Sequence, residues 1–154
     1  MFRALVLSLV VAAGAIPAAA DELRLTDDEK AVIKLTNAER KKADLPPLKP
    51  NAKLFAAARA HAANMAKQDK LAHELDDKTP ADRVTAAGYK YSRWAENIGW
   101  DYRDPKAAVA AWMDSPEHKA NILNEEVTEI GVGVAKNTKG EPYWVQVFGA
   151  RQGK

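Results

Sequence analysis

The chain predicts an α+β fold in which helices cover an antiparallel sheet, and three observations predict it. Helical periodicity fills the front of the chain. Strict alternation of apolar residues fills its end. There is no cysteine anywhere, so an exported fold of this sequence is held by packing rather than by disulfides.

Taken in order, Thr26-Asp27-Asp28-Glu29 forms a capping box that starts a first helix carrying Val32, Ile33, Leu35, Thr36, Asn37 and Arg40. Pro46, Pro47 and Pro50 make residues 43–50 a loop. Asn51 caps a second, long helix, with Leu54, Ala58, His61, Met65 and Ala72 along one face. His61 sits in that stripe, where a histidine is more often a satisfied core residue than a ligand. His73 follows at or just past the helix end. A polar stretch runs from Glu74 to Pro80, and residues 89–91 offer a further strand. Trp94 and Trp100 flank Glu96 within Tyr91–Trp100, a segment expected to pack inward. Asp104-Pro105 opens another helix, with Val109, Trp112 and Met113 on its apolar side.

Ser115-Pro116 then starts a short helix, with serine as N-cap and proline at the first helical position. His118 falls in its first turn, where the helix dipole favours neutral imidazole, the form that binds metals or accepts protons. The alternative is a surface histidine at a helix end. The serine hydroxyl is expected to bond the backbone at His118. Finally, Ile130, Val132 and Val134 alternate, as do Tyr143, Val145 and Val147, around Asn137-Thr138-Lys139-Gly140, which reads as a hairpin.

Residues 1–20 read as a secretory signal peptide. Arg3 supplies the positive end, an apolar run follows, and Ala18-Ala19-Ala20 is an A-x-A cleavage site. The segment is too short and wrongly flanked to span a membrane. Residues 21–154 then make a single domain, exported to the periplasm or beyond the cell, with no stable membrane anchor. The formal net charge of the chain is +2, and loss of Arg3 with the leader leaves +1. Acidic and basic residues are interleaved, so neither nucleic acid nor an anionic membrane is an expected partner. A monomer is expected, with an envelope or extracellular lipid, glycan or protein as ligand.

Several pieces together resemble bacterial CAP-domain (SCP-like) proteins, the superfamily of cysteine-rich secretory proteins, antigen 5 and pathogenesis-related proteins. They are Leu35-Thr36-Asn37-Ala38-Glu39-Arg40, Leu45-Pro46-Pro47-Leu48, Ala95-Glu96-Asn97-Ile98, Trp112 to Leu123, Glu129-Ile130-Gly131-Val132-Gly133 and Tyr143 to Phe148. Their order and spacing carry the likeness over residues 27–150. The resemblance implies a three-layer α-β-α sandwich with a central antiparallel sheet. It also implies a cleft where two histidines and two glutamates can hold a divalent metal, often zinc. Carried over residue by residue, these are His73, Glu96 and His118, with Ser115 where the second glutamate usually stands. The set is therefore one ligand short.

Two neutral imidazoles and a carboxylate are sensible zinc ligands, and an open fourth position could activate a water. Glu96 and His118 are then also candidate catalytic groups. Against this, Glu96 could simply accept backbone hydrogen bonds at a buried turn, and Asn97 reads as structural. Serine hydrolysis through Ser115, His118 and Glu96 is disfavoured, because Ser115 reads as a cap and no G-x-S-x-G elbow is present. The tryptophans bring in a binding reading. If Trp94 and Trp100 line an open groove beside His73, an extended ligand gains weight; if they are buried, the metal cleft alone is left. The expected function is an exported CAP-domain protein with a His-Glu-His cleft that binds a divalent metal or an envelope ligand. The alternative is a metal-assisted hydrolase acting on an envelope or extracellular substrate.

Overall fold

A computed structural model describes residues 23–153. The expected signal peptide lies outside the described residues. Helix α1 (Asp27–Lys42) begins with the expected capping box, Thr26 accepting from the Glu29 amide and Glu29 from the Thr26 amide. Strand β1 (Lys49–Pro50) is a two-residue piece inside the proline loop. Helix α2 (Ala52–Gln68) is capped by the Asn51 side chain at the Lys53 and Leu54 amides. Leu54, Ala58, His61 and Met65 are buried along it as expected, whereas Ala72 falls beyond its end.

Helix α3 (Pro80–Ala86) is an element the hydrophobic pattern did not announce. It is short, and only Pro80 and Val84 are buried on it. Its signal is in the cap: Thr79 and Asp82 form a capping box with proline at the start. Strand β2 (Tyr91–Trp100) begins where residues 89–91 hinted at a strand and runs through the whole Trp-Glu-Trp segment. Helices α4 (Pro105–Asp114) and α5 (Pro116–Ile122) meet at Ser115. Strands β3 (Glu129–Lys136) and β4 (Pro142–Arg151) form the expected hairpin, with Gly140 at φ 85° in its turn.

The sheet order is β1-β3-β4-β2. β3–β4 and β4–β2 are antiparallel, but β1 joins β3 in parallel. The sheet is therefore mixed rather than purely antiparallel. The departure is confined to two residues, whose direction is set by the chain crossing from α1 into α2.

Helices cover both faces. Ile130, Val132, Trp144 and Phe148 pack with Val32, Ile33, Val109, Trp112 and Ile122 from α1, α4 and α5. Val145, Val147, Tyr143 and Ile98 pack with Leu54, Ala58, Met65 and Val84 from α2 and α3. Burial on both sides explains why eight successive residues of β4, Pro142 to Gly149, are buried.

Two polar constructions tie the layers. Arg40 is 1% exposed and donates to the carbonyls of Pro46, Ile122, Asn124 and Val127, so α1 holds the loops around α5, with no carboxylate partner for Arg40 among the described residues. Gln146 donates to the Thr36 hydroxyl at 2.7 Å and accepts from Asn97 at 3.1 Å, linking α1, β4 and β2 inside the core.

The glycines of β3 set how close α2 can lie. A Cβ at Gly131 would collide with the backbone of Leu54 and Phe55, and one at Gly133 with that of Ala58 and Arg59. The alternation of Gly131 and Gly133 with Ile130, Val132 and Val134 thus encodes two faces of different depth. Gly133→Ala is expected to push α2 off the sheet and to lower stability by about 2–3 kcal/mol. Urea denaturation measures this; a change below about 0.5 kcal/mol would contradict the packing described.

Candidate functional site

Glu96 lies in the middle of β2, the edge strand, and its side chain is only 2% exposed. A buried carboxylate must be paired. Arg83, brought in by the short helix α3, pairs with it: one guanidinium nitrogen lies 3.0 Å from Oε1 and 2.8 Å from Oε2. The same nitrogen donates to the His73 carbonyl at 2.8 Å, and the other terminal nitrogen to the Lys78 carbonyl at 3.0 Å. Arg83 therefore fixes both the carboxylate and the loop that carries His73.

His73 stands in that loop, five positions past the end of α2. Its Nδ1 lies 2.9 Å from Glu96 Oε1, while its side chain is 48% exposed. Because the carboxylate can only accept, Nδ1 carries the proton and Nε2 is left as an acceptor facing outward.

His61 approaches the same carboxylate from α2, with Nε2 3.9 Å from Oε1. That nitrogen lies 2.9 Å from the Ala72 carbonyl, so it carries the ring proton. Nδ1 is then a buried acceptor without a partner among the described residues. Burial pushes the His61 pKa down; the Glu96 charge opposes that shift and the Arg83 charge adds to it.

His118 comes from the other side of the strand. Successive strand residues point to opposite faces. Glu96 faces α2 and α3, whereas Asn97 faces α5, where its amide donates to the His118 carbonyl at 3.1 Å. Asn121 of α5 reaches over the edge and donates to the Glu96 carbonyl at 3.3 Å and to Asn97 Oδ1 at 2.9 Å. The His118 ring is half-buried and has no hydrogen-bond partner among the described residues. Burial lowers its pKa, a proton on the nearby His73 would lower it further, and the Glu117 charge opposes the shift.

Of the three residues carried over by resemblance, His73 and Glu96 are in contact. His118 lies near enough to His73 for a charge there to reach it but shares no hydrogen bond with either. Among the described residues no three His, Asp or Glu side chains are grouped so as to hold a metal ion. The donor set does not fit a divalent cage as arranged here, because a permanent guanidinium already occupies both oxygens of its one carboxylate. Glu96 also accepts from side chains rather than from a backbone turn.

Two further expectations are corrected. The Ser115 side chain makes no capping hydrogen bond; α5 starts instead from its carbonyl, which accepts from the Lys119 amide at 2.9 Å. Ser115 serves also as the C-cap of α4, its amide donating to the Trp112 carbonyl, and its hydroxyl stays free of the α5 amides. The segment Tyr91–Trp100 packs inward only from Ala95 to Gly99, while Trp94 and Trp100 are 37% and 45% exposed.

Trp94 stands exposed at the rim of the site. With His73, Glu74, Pro80, Ala95, Glu96 and Asn121 it lines an open cleft of about 450 Å³. Tyr91 meets its ring edge-on, the centroids 6.5 Å apart. Trp100 is not part of this lining; it sits against Tyr143 at the far end of the strand. Arg83 and Asn121 were missed in the sequence. The capping box of Thr79 could have placed Arg83 on a helix, but its partner lies 13 positions away and no spacing reveals it.

A mixed sheet between two helical layers, with a cleft at the edge strand, defines an α-β-α sandwich. The chain belongs to the CAP, or cysteine-rich secretory protein, family, whose pattern residues 33–148 match. It is 37% identical over 121 residues to the uncharacterized protein YkwD of Bacillus subtilis, covering 78% of this chain and 46% of that protein. An extracellular protein containing an SCP domain from Bacillus anthracis is similar in structure, with a TM-score of 0.75 and 28% identity over 81% of this chain and 40% of that one. An outer surface protein of Borrelia burgdorferi superposes with a TM-score of 0.78 and 25% identity, covering 84% of this chain and 97% of that one. The chain thus spans less than half of the two Bacillus proteins. Among the described residues no helix is long and apolar enough to cross a membrane.

The two depressed histidines give a pH dependence. Each stays neutral in the fold where the unfolded chain would take up a proton below about pH 6.5, so stability falls as the pH drops from about 7 to about 5. His61→Gln keeps a donor for Ala72 and should flatten that slope. Denaturant midpoints across this range measure it, and an unchanged slope in the variant would contradict the assignment.

Proposed function

We propose that this domain is a binding module that works outside the cytoplasm, and that its cleft takes a neutral, hydroxyl-rich ligand, a glycan of the cell envelope or its surroundings. The leader-like residues 1–20 support export, as do relatives described as extracellular or outer-surface proteins. The observation that carries the ligand is Trp94, an exposed indole at the rim of a cleft whose other walls offer His73 and Asn121. An aromatic face beside a few fixed polar groups suits a sugar ring, which has one apolar face and a rim of hydroxyls. A lipid chain would be served better by an enclosed apolar slot, and this cleft is open.

Charge supports the same reading. Glu96 is neutralised by Arg83, and the remaining charged residue of the lining, Glu74, is an exposed carboxylate, so the cleft disfavours an anion. Metal-assisted hydrolysis has less support, because it would need the Glu96 carboxylate that Arg83 and His73 hold.

Soluble N-acetylglucosamine oligomers, a neutral glycan probe, added to the purified protein test the proposal by tryptophan fluorescence. Saturable quenching is expected, weakened at least about tenfold by Trp94→Ala and little changed by Trp100→Ala. No saturable change with glycan, or equal binding by Trp94→Ala, would contradict it.

A further inference from the structure

The cleft gathers an unusual number of cation-side partners around one carboxylate. Glu96 meets Arg83 through both oxygens and His73 through Oε1, with His61 next in reach at 3.9 Å. Arg83 is not a loose surface charge. Its side chain is 11% exposed, and the carbonyls of His73 and Lys78 hold the guanidinium as firmly as Glu96 does. Its backbone is fixed as well, one position after the Asp82 that closes the α3 capping box.

A divalent ion at this carboxylate would have to displace these bonds and then sit beside a charge that cannot be deprotonated. His73 offers such an ion Nε2 alone, since Nδ1 is held by the carboxylate.

We propose that Arg83 is the resident cation of this cleft. It takes the place at Glu96 that a metal would need, and it lets the site recognise its ligand without one. With Arg83 in position, Glu96 is free to hold His73 by the Nδ1 hydrogen bond, and His73 presents Nε2 to the cleft as an acceptor for a ligand hydroxyl. The last clause rests on the glycan-binding reading above; the role of Arg83 does not.

Zinc titration of the full chain by calorimetry, beside Arg83→Gln and Arg83→Gln/Glu96→Gln, tests it. The wild type is expected to show no saturable zinc binding. Arg83→Gln should bind zinc at least about tenfold more tightly, and the double variant should lose that gain. Arg83→Lys keeps the charge and should stay zinc-blind, which provides a comparison if Arg83→Gln does not fold. Stoichiometric zinc binding by the wild type that His73→Ala abolishes would overturn the proposal. So would equal zinc affinity in wild type and folded Arg83→Gln. Binding of the N-acetylglucosamine oligomers by the wild type in the presence of a chelator separates the two readings. Binding that the chelator abolishes overturns the metal-free site and leaves the glycan reading standing. Absence of glycan binding sinks the glycan reading, while the zinc comparison still decides the role of Arg83.

Discussion

The cleft depends on one constraint, the burial of the Glu96 carboxylate on an edge strand. A charge placed there costs several kcal/mol unless it is paired and hydrogen-bonded. The fold meets that cost from elements distant in sequence: α3 brings Arg83, and the loop after α2 brings His73. The order of the loop follows from the same pairing, because the Arg83 nitrogen that serves Glu96 also holds the His73 carbonyl. Removing the carboxylate would release a helix, a loop and an imidazole together.

The neighbouring position answers a different need. Asn97 is fully buried and turns to the opposite face, where it joins Gln146, Asn121 and the His118 carbonyl. Glu-Asn in adjacent positions therefore ties both helical layers to one strand. The free edge at this point is not left open for another strand: Asn121 occupies the Glu96 carbonyl, and the Trp112 indole donates to the Ile98 carbonyl at 2.9 Å. Beyond these caps, toward Tyr91, the strand is exposed, and there Trp94 borders the cleft.

Much of this was legible in the sequence because it rests on local rules. Capping boxes, helical stripes and the alternation of the last strands placed α1, α2, α4, α5 and the hairpin. His73 and Glu96, distant in the sequence, lie 2.9 Å apart in the fold. What was hidden depends on contacts between distant positions. Arg83 reads as one more surface charge until the strand behind it is known. The parallel joining of β1 involves two residues and leaves no periodic trace. The exposure of Trp94 and Trp100 follows from their position near the ends of an edge strand, which a hydrophobic pattern cannot distinguish from a covered one. The free hydroxyl of Ser115 reflects its double role between two helices, where preference for the cap position is not the same as use of the cap bond.

The account as a whole turns on which nitrogen of His73 carries the proton, and nitrogen NMR of the histidine rings in the metal-free protein at neutral pH reads this directly. The account predicts that His73 is protonated at Nδ1, toward Glu96, with Nε2 free, and that added zinc leaves its signals unmoved. An Nε2-protonated His73, or signals that shift stoichiometrically with zinc, would contradict it.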